Sequence, residues 1–205
     1  MTTDYNFQPK GLKSNLGWYD RGYIPHFDGG ERAQFLTFRL FDSLPESVVK
    51  KWRDEIIEQG EAGKVIFRKN VESYLDSGYG ECFLKDEPIA RLTEKTLTHY
   101  HEKKYRLTAW VVMPNHIHFL CTPLENVELR EIAHSIKSYT AHEANKLLNR
   151  KGQFWQHEPF DRYIRNKKHF INVIEYIENN PVKAGLCQKA EDWLFSSAFY
   201  KKNNI

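Results

Sequence analysis

The stretch from Tyr105 to Thr122, YRLTAWVVMPNHIHFLCT, constrains the fold more than any other part of the chain. Tyr105–Met113 is rich in β-branched and aromatic side chains. Pro114-Asn115 is a turn signal, and His116–Thr122 resumes β character. Two strands joined this tightly pair as a hairpin of an antiparallel sheet. Successive side chains of a strand point to opposite faces, so His116 and His118 share one side while Ile117 and Phe119 enter the other.

The segments around the hairpin predict how it is completed. Gln34–Phe41 sets Phe35, Thr37 and Arg39 against Leu36, Phe38 and Leu40, a strand pattern. Pro45 suits the first turn of a helix running to about Glu61, with Val48, Val49, Trp52, Ile56 and Ile57 at helical spacing. Further helices are expected over 63–81 and from Asp86 to His101. After the hairpin, residues 127–149 form an amphipathic helix with Leu129, Ile132, Ala133, Ile136, Ala144, Leu147 and Leu148 as its apolar stripe. A fourth strand is expected within 153–165. A last helix should open at Asn166 or Lys167 and stop at about Asn180, ahead of Pro181.

This order gives an α+β protein, with an antiparallel sheet covered by helices on one face and a helical elaboration at about 45–103 between the first strand and the hairpin. Residues 1–33, aromatic and glycine-rich without periodicity, read as an arm laid over a core of 34–185, and 186–205 as a tail packed on it. The whole chain, 1–205, is expected to form a single domain, a length at which one core suffices without disulfide or metal staples.

Composition narrows the function. The chain carries 30 Lys and Arg against 27 Asp and Glu, a formal charge of +3, with 40% hydrophobic residues. That balance excludes a disordered tail protein and a histone-like polycation. No apolar run nears the ~20 residues of a membrane-spanning helix, and the polar N-terminus lacks the apolar core of a secretory signal. Cys82, Cys121 and Cys187 are far apart and form no CxxC pair, which fits a reducing, cytoplasmic setting. The charge is unevenly spread: residues 130–169 hold nine Lys and Arg against four acidic residues, a local basic stretch that suits a polyanion contact or, equally, a solvated helix face.

Two imidazoles on one strand face are a chelate lacking a third ligand, although HxH pairs also occur on solvated strands. On the last helix Phe170, Val173, Ile174 and Ile177 form the buried stripe. Asn172, Tyr176 and Asn180 stack on another face at i, i+4 and i+8. Taken alone, Tyr176 could be a core-edge tyrosine and Asn180 a helix-end residue.

Three ordered motifs, WVVMPNHIHFL, FWQHEPFDRYIRN and EYIENNPVKAGL, together resemble the single-tyrosine HUH transposases, and more closely the REP-associated tyrosine transposases of bacteria. The likeness runs from the strand at residue 34 to DWLFSS, and WYDRGYIPHF resembles the start of several such proteins. It implies a ferredoxin-like antiparallel sheet of about four strands. It implies that His116 and His118 bind a divalent metal, Mg²⁺ or Mn²⁺, that Asn180 completes the metal site, and that Tyr176 is the nucleophile. The implied activity is cleavage and rejoining of single-stranded, hairpin-forming REP DNA through a 5′-phosphotyrosine intermediate, in DNA transposition. A nucleoid-associated cytoplasmic protein follows, with no obligate protein partner. The arm favours a monomer over a helix-exchanging dimer.

DNA contacts are expected from Arg130, His134 and Lys137 on the 127–149 helix, and from Arg162, Arg165, Lys167 and Lys168 just before the nucleophile helix. Trp18, Tyr19 and Arg21 of the arm could stack on or reach unpaired bases, or pack on the core. Two alternatives stand beside this reading. One is a catalytically silent protein of the same fold that binds structured DNA or RNA. The other is a metal hydrolase built on the HxH pair, which needs a third His, Asp or Glu and gives Tyr176 no role.

Overall fold

The computed structural model describes residues 17–20, 25–56 and 60–204. β1 (Gly17–Asp20) and β2 (Pro25–Asp28) pair as an antiparallel ribbon. After β3 (Gln34–Arg39) come three helices, α1 (Glu46–Ile56), α2 (Gly60–Asp76) and α3 (Glu87–His99). The hairpin is β4 (Tyr105–Val112) and β5 (His116–Pro123). The chain continues through α4 (Leu129–Leu147), β6 (Phe160–Tyr163), α5 (Lys167–Lys183) and α6 (Ser197–Asn203).

The main sheet has the order β4-β5-β3-β6, every pair antiparallel. Its four strands, counted along the chain, therefore lie 2-3-1-4. Three helices, of which α3 packs on the sheet, lie between the first and the second, and α4 lies between the third and the fourth; with α1 and α2 as an insertion this is the ferredoxin-like β-α-β-β-α-β arrangement. The hairpin register is interrupted at Thr108, between the pairs Leu107–Cys121 and Ala109–Leu120. That extra residue moves the inward set from Tyr105 and Leu107 to Trp110 and Val112, so apolar residues stay on the same face across the irregularity.

The two faces have different coverings. Leu36, Phe38, Leu40, Ile117, Phe119 and Cys121 form one core with Ile89 and Leu97 of α3 and Ile132 and Ile136 of α4. Phe35, Ala109, Val111 and Leu120 form a second core with Phe170, Val173 and Ile177 of α5. The expectation of helices on a single face is thus corrected: alternation leaves both faces of β3, β4 and β5 apolar, so each needs its own cover. Parts of α1 and α2 also lie against the second face, where Val49, Phe67, Val71 and Leu75 meet Phe35 and Thr37 around a cavity of about 40 Å³.

Two further expectations change. Residues 17–20 and 25–28, within the stretch read as an aperiodic arm, pair as the β1–β2 ribbon; four-residue strands are too short for alternation to register. Asp28 ties the ribbon to the body, its carboxylate accepting from the Gly30 and Leu129 backbone N–H groups at 2.9 Å each. Leu129 opens α4, so the carboxylate also sits favourably at a helix N-terminus.

Pro181 does not end α5, which continues to Lys183 with Pro181 inside it. The stop is Gly185, at φ +70°: its N–H reaches Val182 O at 3.0 Å and Leu186 N–H reaches Pro181 O at 2.9 Å, the Schellman pattern that a left-handed residue permits.

The tail covers an edge of the sheet. Val112 N–H donates to Phe195 O at 2.9 Å and Trp193 Nε1 donates to Val112 O at 2.9 Å, which occupies the otherwise open side of β4.

Candidate active site

β5 carries His116 and His118 between β3 and β4, with Arg39 opposite His116 and Thr37 opposite His118. A strand paired on both sides cannot slide, so both imidazoles are held on the α5 face, buried, with ring centroids 4.6 Å apart. Each ring is oriented through its Nδ1. His118 Nδ1 lies 2.8 Å from Thr37 Oγ1, and His116 Nδ1 lies 2.7 Å from Asn115 Oδ1. The Nε2 atoms point the other way: that of His118 is 3.4 Å from the Tyr176 hydroxyl, and that of His116 is buried without a hydrogen-bond partner.

α5 brings the remaining groups. Its N-terminus is capped by Asn166, whose side chain accepts from His169 N–H at 2.9 Å. The buried Phe170, Val173 and Ile177 then turn Tyr176 and Asn180 toward β5. The Tyr176 ring stands edge-on to Phe35 at 5.9 Å and 5.3 Å from the His118 ring. Asn180 is fully buried, and neither atom of its amide makes a hydrogen bond of acceptable geometry. The amide is nonetheless close enough to His116 and Tyr176 to bias the protonation of both. We regard it as a neighbour of both groups rather than a bonded partner.

Burial first, then the Arg39 guanidinium, lowers the His116 pKa to about 3. Burial, His116 and Lys183 hold His118 well below its ordinary value. Both rings are therefore neutral at pH 7, the form that offers a lone pair. Tyr176 is pushed well above the ordinary phenol value by burial and by the carboxylates of Glu72 and Asp76, against which Arg162 and Asn180 act weakly. Lys183, one turn beyond Asn180, bridges to Asp76 of α2 at 2.9 Å and lies 5.7 Å from the centre of the Tyr176 ring.

The donor set fits a divalent cation. Among the described residues no group of three His, Cys, Asp or Glu side chains could hold a metal. The pair His116–His118 is instead accompanied by an amide with an unpartnered oxygen, and one imidazole nitrogen is orphaned in a buried site. Unsatisfied buried polar atoms are costly, and their convergence suits a ligand with positive charge. The hydrolase alternative lacks its third ligand among these residues.

The other expected site residues are spread more widely. Arg162 lies on β6 and, with the exposed Arg165, Lys167 and Lys168, makes a basic corner where β6 meets α5, near Tyr176. Arg130, His134 and Lys137 lie on α4, across the sheet from the histidines, where they line a cavity of about 640 Å³ with His157, Pro159 and Asp161. Arg130 is paired with Glu128, and Lys137 Nζ donates to the carbonyls of Gln156 and His157 at 2.6 Å each. Lys137 thus fastens the 156–157 strand approach as well as carrying charge. Trp18 and Tyr19 lie in β1 with side chains outside the described part, and Arg21 lies outside the described residues.

Sequence reasoning did not reach Asn115, Thr37, Arg39 or Lys183. Three of these carried a usable signal: Thr37 and Arg39 share the strand face of Phe35, and Lys183 lies two turns after Tyr176.

This combination, a ferredoxin-like sheet with two histidines on an inner strand facing a tyrosine and an amide one helical turn apart, defines a class. The family described as "Transposase IS200 like" matches residues 79–180, which contain all four of these side chains. Over those residues the chain is similar to members of that family. It is similar to the REP-associated tyrosine transposase of Escherichia coli, 31% identical over 97 residues, spanning 47% of this chain but only 56% of that protein. It is also similar to a protein of Haemophilus influenzae named as a putative REP-associated tyrosine transposase, 29% identical over 143 residues, 65% of this chain and 76% of that one. A solved structure of a REP-associated tyrosine transposase bound to a REP hairpin shares the fold, with a TM-score of 0.52 and 20% identity, covering 87% of this chain and 81% of that one. Among the described residues no helix is long and apolar enough to cross a membrane.

Proposed function

We propose that this protein cleaves and rejoins single-stranded, hairpin-forming REP-type DNA in a metal-dependent reaction that passes through a 5′-phosphotyrosine on Tyr176. One observation carries the reading: the Tyr176 hydroxyl, His118 Nε2, the orphaned His116 Nε2 and the orphaned Asn180 amide converge in one buried site. His116, His118 and Asn180 would hold Mg²⁺ or Mn²⁺, which when bound polarises a phosphate and offsets charge developing on it.

The remaining chemistry belongs to the chain. With its pKa raised, Tyr176 rests as a neutral phenol and must lose its proton as it attacks. The phenol oxygen forms a bond to phosphorus, the bond to the 3′ oxygen breaks, and that oxygen takes up a proton as a free 3′-OH. One phosphodiester is exchanged for another, so a later attack by a 3′-OH on the phosphotyrosine rejoins strands without an external energy source. Phe35 and Thr37 fix the ring of His118, and the α5 core fixes Tyr176, so the reacting groups are oriented before DNA arrives.

The basic corner at Arg162, Arg165, Lys167 and Lys168 would guide the phosphate backbone to Tyr176. A DNA hairpin that also used Arg130 and His134 would have to pass around β6, the edge strand between the two zones. We expect the protein to act as a monomer in the cytoplasm, at the nucleoid.

The test is incubation with a labelled REP-type hairpin oligonucleotide carrying single-stranded flanks, with Mn²⁺, followed by denaturing electrophoresis. The expected product is a protein–DNA adduct that resists SDS, abolished by EDTA and by Tyr176→Phe, with hairpin binding by Tyr176→Phe retained. Cleavage that survives Tyr176→Phe would refute the tyrosine mechanism. Tight hairpin binding without any adduct would favour a silent DNA-binding protein.

A further inference from the structure

Asn115 follows Pro114 in the turn of the hairpin, yet its side chain is completely buried. Its Nδ2 lies 3.2 Å from Leu75 O and 2.9 Å from Tyr79 O. Backbone carbonyls only accept, so the amide nitrogen must face them and the amide oxygen must face His116, 2.7 Å from Nδ1. An amide oxygen cannot donate. His116 Nδ1 must therefore carry the proton, which leaves the lone pair on Nε2. The histidine at 118 is treated differently: its partner is the Thr37 hydroxyl, which both donates and accepts and so imposes no tautomer by itself.

The two carbonyls belong to the helical insertion. Leu75 is in the last turn of α2 and Tyr79 in the loop that follows. That loop is fastened to the hairpin turn a third time, by Leu84 N–H to Pro114 O at 3.1 Å, while Leu40 N–H holds Asn115 O at 2.9 Å. Within the loop, Gly80 (φ +91°) runs so close to Asp42 that a Cβ there would approach its side chain to 3.0 Å, and Asp42 Oδ2 accepts from Glu81 N–H at 2.8 Å. The loop is thus held against the body on both sides of the turn.

Building on the metal centre proposed above, we infer that Asn115 is a positioning residue, oriented by the Leu75 and Tyr79 carbonyls of the insertion, that fixes the tautomer in which His116 offers Nε2 to the metal. The insertion between β3 and the hairpin thereby becomes part of the support of the centre. Partners of this kind typically change metal affinity about 10–100-fold when removed.

The test uses the full chain. Long-range ¹H–¹⁵N correlation of the metal-free protein reads the tautomer of His116, assigned with His116→Gln, and Mn²⁺ affinity is read by electron paramagnetic resonance. The wild type is expected to show Nδ1–H on His116. Asn115→Ala should give a mixture of tautomers and raise the Mn²⁺ dissociation constant about 10-fold or more. Asn115→Asp keeps an acceptor oxygen and should hold the tautomer and the affinity, while melting at a lower temperature because a carboxylate then faces two carbonyls.

The inference is overturned by a wild-type His116 protonated on Nε2, by an unchanged affinity in Asn115→Ala, or by an Asp variant as weak as the Ala variant, which would mean the side chain only braces the turn. If Asn115→Ala does not fold, the wild-type tautomer and the Asp variant still decide. The two readings fail separately. A wild type that binds no Mn²⁺ refutes the metal centre, whereas an Nε2–H tautomer refutes the role of Asn115 even if Mn²⁺ binds.

Discussion

Acid should destabilise the metal-free protein through its histidine pair, by an amount that the burial of His116 sets. In the unfolded chain the imidazole takes up its proton near 6.5; in the folded protein it does so only near 3. Between these values the unfolded state binds a proton that the folded state refuses, so stability is full above pH 6.5 and falls as pH drops toward 3. At pH 5 the loss from His116 alone is about 2 kcal/mol, and because the ring is fully buried no solvent screening discounts it. Against a typical 5–15 kcal/mol of total stability this is a large share. For a chain of this length it corresponds to a melting temperature about 4–8 °C lower.

The assay is urea unfolding followed by tryptophan fluorescence, in EDTA, at pH 7 and pH 5, for wild type and His116→Gln. The variant should lose about 2 kcal/mol less than the wild type over that interval. His118 stays in place and still contributes its own loss, so some pH dependence remains. Equal losses in the two proteins would refute the reasoning, because a ring that titrates normally cannot be desolvated as the structure has it.

Other substitutions probe the supports around the site. Thr37→Val leaves the buried His118 Nδ1 without its partner and should cost about 1–3 kcal/mol in urea unfolding; no loss would mean that the hydroxyl does not hold the ring. Glu94, buried on α3, accepts from Trp110 Nε1 at 3.1 Å and from the Tyr200 hydroxyl at 3.2 Å. Glu94→Ala strands both donors and should cost about 1–3 kcal/mol, with faster proteolysis of the α6 tail as the second readout. Asn166→Ala removes the cap of α5 and should lower stability by about 1 kcal/mol, measured by thermal unfolding.

How much of this was legible in the sequence depends on the range of the information. Local periodicity carried the hairpin and placed His116 and His118 on one side, because a strand alternates whatever surrounds it. Likewise, i, i+4 spacing aligned Tyr176 with Asn180. What periodicity cannot carry is the face of the sheet against which a helix docks. The apolar stripe of α4 was evident, yet nothing local said that it would lie opposite the histidines, which separates Arg130, His134 and Lys137 from Tyr176.

Pro181 misled for a related reason. Its missing N–H weakens the helix locally, but its burial and the Gly185 stop carry the helix through. Asn115 was read as a turn residue, which it is; its buried partners come from residues 36 and 40 positions earlier, beyond any local pattern.

The arrangement of α5 has a genetic consequence. Tyr176 reaches His118 within the same polypeptide, and the apolar seam of Phe170, Val173 and Ile177 holds that helix on its own sheet. For the tyrosine mechanism and the monomer proposed above, defects in the two halves of the site should therefore not complement one another. A cell or a tube supplied with both the Tyr176→Phe and the His116→Ala proteins has no chain with an intact set, and mixing them would restore nothing. In a mixed population of intact and defective copies, activity would fall in simple proportion to the intact fraction, and a defective chain would be recessive unless it competed for DNA.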